Sequence, residues 1–322
     1  MKTLFIFYIT LLQIFFFKAE VTFDTILEEL KKDIKMKKMA VAGGDNPETL
    51  QAARKAKDMK IGDSILIGNE EKIKTRAKEN NIDISDFEIV NLDDTIEITR
   101  HAVKLVNEGQ ADILVKGSIQ TKDILKVILD NEIGFKTSDL INLVGVFEIE
   151  GKLTLLTDIS IVPYPTLENK VQLINNAVKL ANSLGINNPK VALVAGISMA
   201  NSRMPETLEA EKLTEMNIRG EIKDCIVDGP LSLDLAISPE SAKIKYVNRR
   251  INGDADILLF PDVHAGNIAY KILTHMIDSK CGSILLGTKK PVILNSRSDT
   301  VDVKINSMIL GSIYDKIKSN NK

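Results

Sequence analysis

Val292-Ile-Leu-Asn-Ser296-Arg297-Ser298-Asp299-Thr300 sets the pattern for the whole chain. Three apolar residues stop at a polar turn, and beyond it Val301, Ile305, Met308, Ile309 and Ile313 recur at the spacing of a helix with one apolar face. A short strand that ends in a loop and continues as a helix is the building unit of an α/β fold. The same unit appears upstream. Ile257-Leu-Leu-Phe260 stops at Pro261-Asp262, and Val191-Ala-Leu-Val-Ala195 at Gly196-Ile197-Ser198. Ile113-Leu-Val115 stops at Lys116-Gly117-Ser118, Ser64-Ile-Leu-Ile67 at Gly68-Asn69, and Met39-Ala-Val-Ala42 at Gly43-Gly44. These runs are continuously apolar rather than alternating, so both faces of each strand are covered, which predicts mainly parallel sheet between layers of helix. Pro47 suits the first turn of a helix, with Asp45 or Asn46 as its cap. The alternation breaks once: Leu143 to Ile149 and Lys152 to Thr157 flank Glu150-Gly151, which predicts an antiparallel hairpin. Gly109-Gln-Ala-Asp-Ile-Leu114 returns as Gly253-Asp-Ala-Asp-Ile-Leu258, and two related halves or the chance reuse of a common strand entry would each account for it.

Length and composition limit what such a fold can be. A chain of 322 residues is long enough for two domains of ordinary size. Its net charge is -2, from 42 Lys+Arg against 44 Asp+Glu, and it lacks the clustered basic excess of a nucleic-acid partner. Cys225 and Cys281 are the two cysteines, and thiols so far apart read as free and reduced. The three histidines, His101, His264 and His275, are also scattered, so no metal is expected. Residues 4–17 are almost wholly apolar and resemble a signal-peptide core, but 14 residues do not cross a bilayer, which takes about 20. Phe17-Lys18-Ala19 is a poor cleavage site. Residues 1–21 are therefore expected to be an apolar leader or a mis-assigned start, with Val21 an alternative initiation point, and the rest a cytoplasmic protein.

In open α/β sheets ligands bind beyond the carboxyl ends of the strands. At the last of these, backbone N–H groups at a helix start favour an anion, and Arg297 adds a planar fork suited to phosphate. Ser296 offers a hydroxyl; Asp299 and Asp302 offer carboxylates. The plainer reading is that Ser298 or Asp299 caps the helix and Arg297 is solvated surface. Lys116-Gly117 with Thr121 forms a second candidate, a cation beside a flexible backbone, or an ordinary tight loop. A third, Phe260 to Asn267, precedes a helix carrying Lys271, with His264 read as a loop histidine.

Taken in order, Val115-Lys-Gly117 with Thr121, Asp228-Gly-Pro-Leu-Ser-Leu-Asp234 with Ala236, Gly253-Asp-Ala-Asp-Ile-Leu258, Pro261-Asp262 with Ala265-Gly-Asn267, and Ser296-Arg297 with Asp299 resemble the phosphate acetyltransferase and phosphate butyryltransferase family, closer to its butyryl branch. The resemblance runs from about residue 22 to the C-terminus. It implies two three-layer α/β domains of the isocitrate-dehydrogenase-like fold with a cleft between them, residues 22–150 plus 288–322 and residues 151–287. It further implies direct, reversible transfer of a short acyl group between coenzyme A and phosphate in a ternary complex, giving acyl phosphate. No cofactor is needed, since coenzyme A is a substrate. An acetyl-CoA-using enzyme, a fold-related dehydrogenase and a non-catalytic binding protein are the alternatives. The resemblance implies a homo-oligomer linked to a kinase that uses acyl phosphate. Carried across, Ser296 would stabilise the tetrahedral species and Arg297 hold phosphate, while Lys116, Gly117, Thr121, Gly266, Asn267 and Lys271 would bind substrate. The acetyl branch places a base seven positions after the serine. Val303 stands there, so Asp299, Asp302 or neither is the base.

Overall fold

A computed structural model describes residues 21–32, 36–137, 140–245, 249–277 and 279–320. The leader expected over residues 1–21 lies outside them except for Val21. Strands and helices alternate as α1 (Phe23–Lys31), β1 (Lys37–Ala42), α2 (Pro47–Asp58), β2 (Gly62–Gly68), α3 (Glu70–Glu79), β3 (Glu88–Asn91), α4 (Thr95–Asn107), β4 (Ile113–Lys116) and α5 (Thr121–Ile128). The hairpin follows as β5 (Asn142–Ile149) and β6 (Lys152–Thr157). After it come α6 (Leu167–Ser183), β7 (Lys190–Val194), α7 (Pro205–Ile218), β8 (Ile226–Leu231), α8 (Leu233–Ile237), α9 (Pro239–Ile244), β9 (Ile257–Leu259), α10 (Val263–His275), β10 (Cys281–Leu286), β11 (Val292–Ile293) and α11 (Val301–Asn320).

The described strands form one sheet in the order β3-β2-β1-β4-β11-β10-β5-β6-β9-β7-β8. Its flanks are parallel, and the antiparallel pairs β11/β10, β10/β5 and β5/β6 join them in the middle. The hairpin turns on Glu150 and Gly151, both at positive φ (51° and 81°), the backbone a tight two-residue turn demands. The C-terminal strands β10 and β11 insert between β4 and β5, so the end of the chain completes the centre of the sheet.

Successive strand residues face opposite sides, and each side meets its own helical layer. Met39 and Val41 join one apolar layer with Ile305, Met308 and Ile309 of α11. Ala40 and Ala42 join the other, with Ala102 and Val103 of α4. Each large apolar side chain so buried contributes about 1.5–3 kcal/mol. Asn46 caps α2 by accepting the Thr49 N–H at 2.9 Å, with Pro47 at the first position. The repeated Ala-Asp-Ile-Leu segments occupy matching places: Asp112 accepts the Lys38 N–H at 2.9 Å at the entrance of β1, and Asp256 accepts the Lys190 N–H at 2.9 Å at the entrance of β7. In each case the aspartate N–H returns a bond to the same lysine carbonyl, at 2.7 and 2.9 Å.

Candidate active site

A cavity of about 230 Å³ lies over the middle of the sheet, on the face that carries Leu143 of β5 and Ser283 of β10. Its walls come from elements far apart in sequence. Thr121, the first residue of α5, and Leu294, Ser296 and Asp299 beyond β11 form one side. Ile159, Ser160 and Ile161 after β6, with Asn267, Tyr270 and Lys271 of α10, form the other.

The turn after β11 is organised around one carboxylate. Asp299 is buried, 5 % exposed, and accepts the Ser296 N–H at 2.8 Å and the Asn295 amide at 3.4 Å. The cap of α11 is Thr300, whose hydroxyl accepts the Val303 N–H at 3.3 Å, so neither Ser298 nor Asp299 fills that role. Lys304, only 2 % exposed, donates to the Ser296 carbonyl at 2.7 Å. Burial lowers its pKa, and the charge of Asp299 pulls it back up. Lys116, at the end of β4, is 3 % exposed; burial and then the like charges of Lys304 and Arg297 bring its amine down to about 8. Arg297 itself is exposed between two cavity residues. Lys116 thus lies within electrostatic reach of Lys304, Arg297 and Asp299, and Lys304 within reach of Asp299 and Glu48, beside the Ser296 hydroxyl. Such an arrangement suits a further anion.

The opposite wall is held by Asp158. Its carboxylate accepts backbone N–H bonds from Leu143 and Ser160 at 3.0 and 3.2 Å and from Ile161 and Val162 at 3.0 and 2.5 Å. Burial raises its pKa while these donors oppose the rise. Asn267 donates to the Ile159 carbonyl at 2.9 Å, tying α10 to the same loop. Gly266 makes that approach feasible, because a Cβ there would lie 2.1 Å from the Asp158 carbonyl oxygen. On the floor Tyr270 packs edge-on against Phe147, with ring centroids 5.6 Å apart. Its phenol lies near Ser283 and is pushed up by burial and by Asp299.

Of the residues singled out from sequence, Thr121, Asn267, Lys271, Ser296 and Asp299 line this cavity together. Lys116 and Arg297 stand close enough for their charges to interact. Gly117 and Gly266 do not line it; each lets two backbones cross, and a Cβ on Gly117 would lie 1.9 Å from the Gly43 carbonyl oxygen. Asp302 faces away: its side chain is 84 % exposed and sits 3.7 Å from Lys55, beside a separate groove that includes Phe23 and Ile305. Sequence reading missed Asp158, Tyr270, Ser283 and Lys304. A buried charge in a helix, such as Lys304, leaves no mark on sequence, because the helix already has an apolar stripe without it. Among the described residues no group of three or more His, Cys, Asp and Glu side chains could hold a metal ion. Both cysteines are buried, and burial pushes the Cys225 thiol up to about 11. No helix among the described residues is long and apolar enough to cross a membrane.

A family model described as phosphate acetyl/butaryl transferase matches residues 21–100 and 95–312. The chain is 42 % identical over 294 residues to a phosphate butyryltransferase of Clostridium acetobutylicum, covering 91 % of this chain and 97 % of that one. It is 38 % identical over 282 residues to a phosphate acetyltransferase of Thermotoga maritima, covering 87 % and 96 %. Among solved structures, a branched-chain phosphotransacylase from Enterococcus faecalis superposes with a TM-score of 0.78 at 35 % identity, covering 87 % of this chain and 99 % of that one.

Proposed function

Since the chain belongs to the phosphate acetyl/butyryltransferase family, we propose that it is a phosphate acyltransferase exchanging coenzyme A for phosphate on a short acyl group, butyryl in preference to acetyl. The observation that carries this reading is the convergence of Ser296, Asp299 and nearby cations on a cavity whose other lining includes Leu143, Ile159, Ile161 and Leu294. Phosphate is held by the Arg297 fork in the field of Lys116 and Lys304. Its oxygen attacks the thioester carbonyl, the C–S bond breaks, and the thiolate leaves as CoA. The Ser296 hydroxyl donates to the oxyanion that forms on the way, and Asp299 takes the thiol proton in the reverse direction. A thiol of pKa ~8.5 needs only a weak base, so a carboxylate among cations suffices. Both substrates occupy the cavity at once, and no acyl-enzyme forms.

Apart from Ser283, whose strand β10 lies between β11 and β5, the cavity draws one wall from residues 22–150 plus 288–322 and the other from residues 151–287, which supports reading these segments as two lobes closing on the substrates. The apolar surface supports a butyryl preference: two further methylenes at about 0.8 kcal/mol each favour butyryl by roughly fifteenfold. Thiol release from butyryl-CoA and acetyl-CoA, with and without phosphate, tests the reading. Release that ignores phosphate would refute the activity, and faster turnover of acetyl-CoA would refute the preference. Initial-rate lines that run parallel instead of intersecting would exclude the ternary complex. We also propose a cytoplasmic homo-oligomer that hands acyl phosphate, a mixed anhydride, to a kinase. The exposed stripe of Ile268 and Ile272 on α10 and Met276 at its end supports the oligomer, and a monomer in sedimentation would rule it out.

A further inference from the structure

Tyr164 is 73 % exposed, yet its position is closely defined. Pro163 and Pro165 flank it and restrict the backbone on both sides. The chain just before it is clamped by Asp158, and the Pro163 carbonyl accepts the Val263 N–H at 3.2 Å, docking this segment on the first residue of α10. The Tyr164 hydroxyl lies 3.0 Å from Nε2 of His264, and the two ring centroids are 5.6 Å apart at a tilt of 48°. Two aromatic rings thus form a fixed, bent, solvent-facing surface.

Its place relative to the cavity gives that surface a use. His264, Asn267 and Lys271 follow one another at i, i+3 and i+7, so they share a stripe of α10, and the latter two line the cavity. His264 lies about 10 Å along the helix from Lys271. A cavity of about 230 Å³ accommodates a short acyl thioester beside phosphate. The rest of an acyl-CoA must leave along the surface, and the α10 stripe leads from the cavity to the ring pair. Resting on the acyl-CoA reading above, we propose that Tyr164 and His264 form the platform on which the adenine ring of the CoA ester stacks while its thioester occupies the cavity. A flat base needs only an exposed aromatic face for this, and the exposed ring surface supplies one.

The test compares butyryl-CoA with butyryl-pantetheine, which keeps the thioester and the flexible arm but lacks the nucleotide. For Tyr164→Ala, KM for butyryl-CoA is expected to rise about 5- to 150-fold, the range for losing one base-stacking contact. KM for butyryl-pantetheine should change less than twofold. Tyr164→Phe keeps the ring, loses the bond to His264 and should restore the butyryl-CoA KM to near that of the unaltered enzyme. An equal rise for both thioesters, or a fall in melting temperature with lower kcat on both, would mean that the pair staples loop to helix or holds the arm, and the adenine assignment would be wrong. Unchanged KM values would also overturn it. If the unaltered enzyme turns over neither thioester, the acyltransferase reading fails first, and the platform fails with it.

Discussion

Replacing Lys116 with Met should stabilise the protein and impair it as an enzyme. The side chain is 3 % exposed, and its amine has the Gly117 carbonyl at 3.4 Å as a weak partner. The drop in its pKa from 10.5 to about 8 corresponds to a cost on the order of 3 kcal/mol for keeping the charge in the folded state. Methionine keeps the length of the stem and removes that cost. The sign of the pH dependence follows from proton counting. Below about pH 8 folded and unfolded chains are both protonated at this lysine, and the full cost is present. Between about 8 and 10.5 the unfolded chain holds more protons, so the unaltered protein gains stability as pH rises. The advantage of K116M is therefore greatest near pH 7 and shrinks through pH 8 to 10. Urea denaturation of both proteins at pH 7 and pH 9.5 measures this directly. In parallel, kcat/KM for phosphate should fall about tenfold, as for one lost charge-assisted interaction. A variant less stable at pH 7, or a difference that does not narrow with pH, would refute the reasoning.

Arg297→Lys keeps the charge but not the fork, and should raise KM for phosphate much more than KM for acyl-CoA; steady-state kinetics with each substrate varied in turn would show it. Asp299→Asn should lower turnover by about 10²- to 10⁴-fold, with the deficit shrinking as pH approaches the thiol pKa of ~8.5, whereas Asp302→Asn should stay within about twofold. A pH-independent loss in Asp299→Asn would mean that it acts by holding the Ser296 backbone rather than by taking a proton. Gly266→Ala forces a Cβ to 2.1 Å from the Asp158 carbonyl and should cost at least about 1–3 kcal/mol, read as a lower denaturation midpoint.

The strand–loop–helix units were readable because a strand covered on both faces is apolar at every position, and a polar turn must follow where it leaves the core. Leu143 to Thr157 was readable as a hairpin because Glu150-Gly151 can adopt the positive φ values the turn needs. The family resemblance implied that residues 288–322 return to the first domain, but the order of the strands was not legible in the residues themselves. Nothing in β10 or β11 records that they will lie between β4 and β5, since that depends on which edges remain open when the flanks have formed. The site was legible where a strand ended and a helix began, as at Ser296; of the side chains that enter the cavity from within an element, Asn267 and Lys271 were named through the family pattern and the helix they sit on, while Tyr270 and Ser283 were not. From sequence Asp299, as part of the Ser-Arg-x-Asp pattern, was the favoured base, with Asp302 still open. The start of α11 separates them: Asp299, in the turn before the helix, points inward, and Asp302, in its first turn, points toward Lys55.

Asp112 and Asp256 make the same joint twice, and the strands around them complete the match. From the centre outward one flank runs β4, β1, β2 and the other β9, β7, β8, with each aspartate bonding the entrance of the next strand. Parallel pairing holds within each flank, while the three antiparallel pairings between them reverse direction, so β4 and β9 point opposite ways. The two flanks are thus related in strand order and direction by an approximate twofold axis through the central strands, the arrangement a symmetric dimer would show. The cavity lies near that axis, where symmetry would supply two equivalent sites, yet the halves have diverged. The end of β11 contributes Ser296 and its carboxylate, and the helix after β9 closes over them. The two sides of the axis thus bring different side chains to one cavity: Ser296 and Asp299 from one, Asn267, Tyr270 and Lys271 from the other.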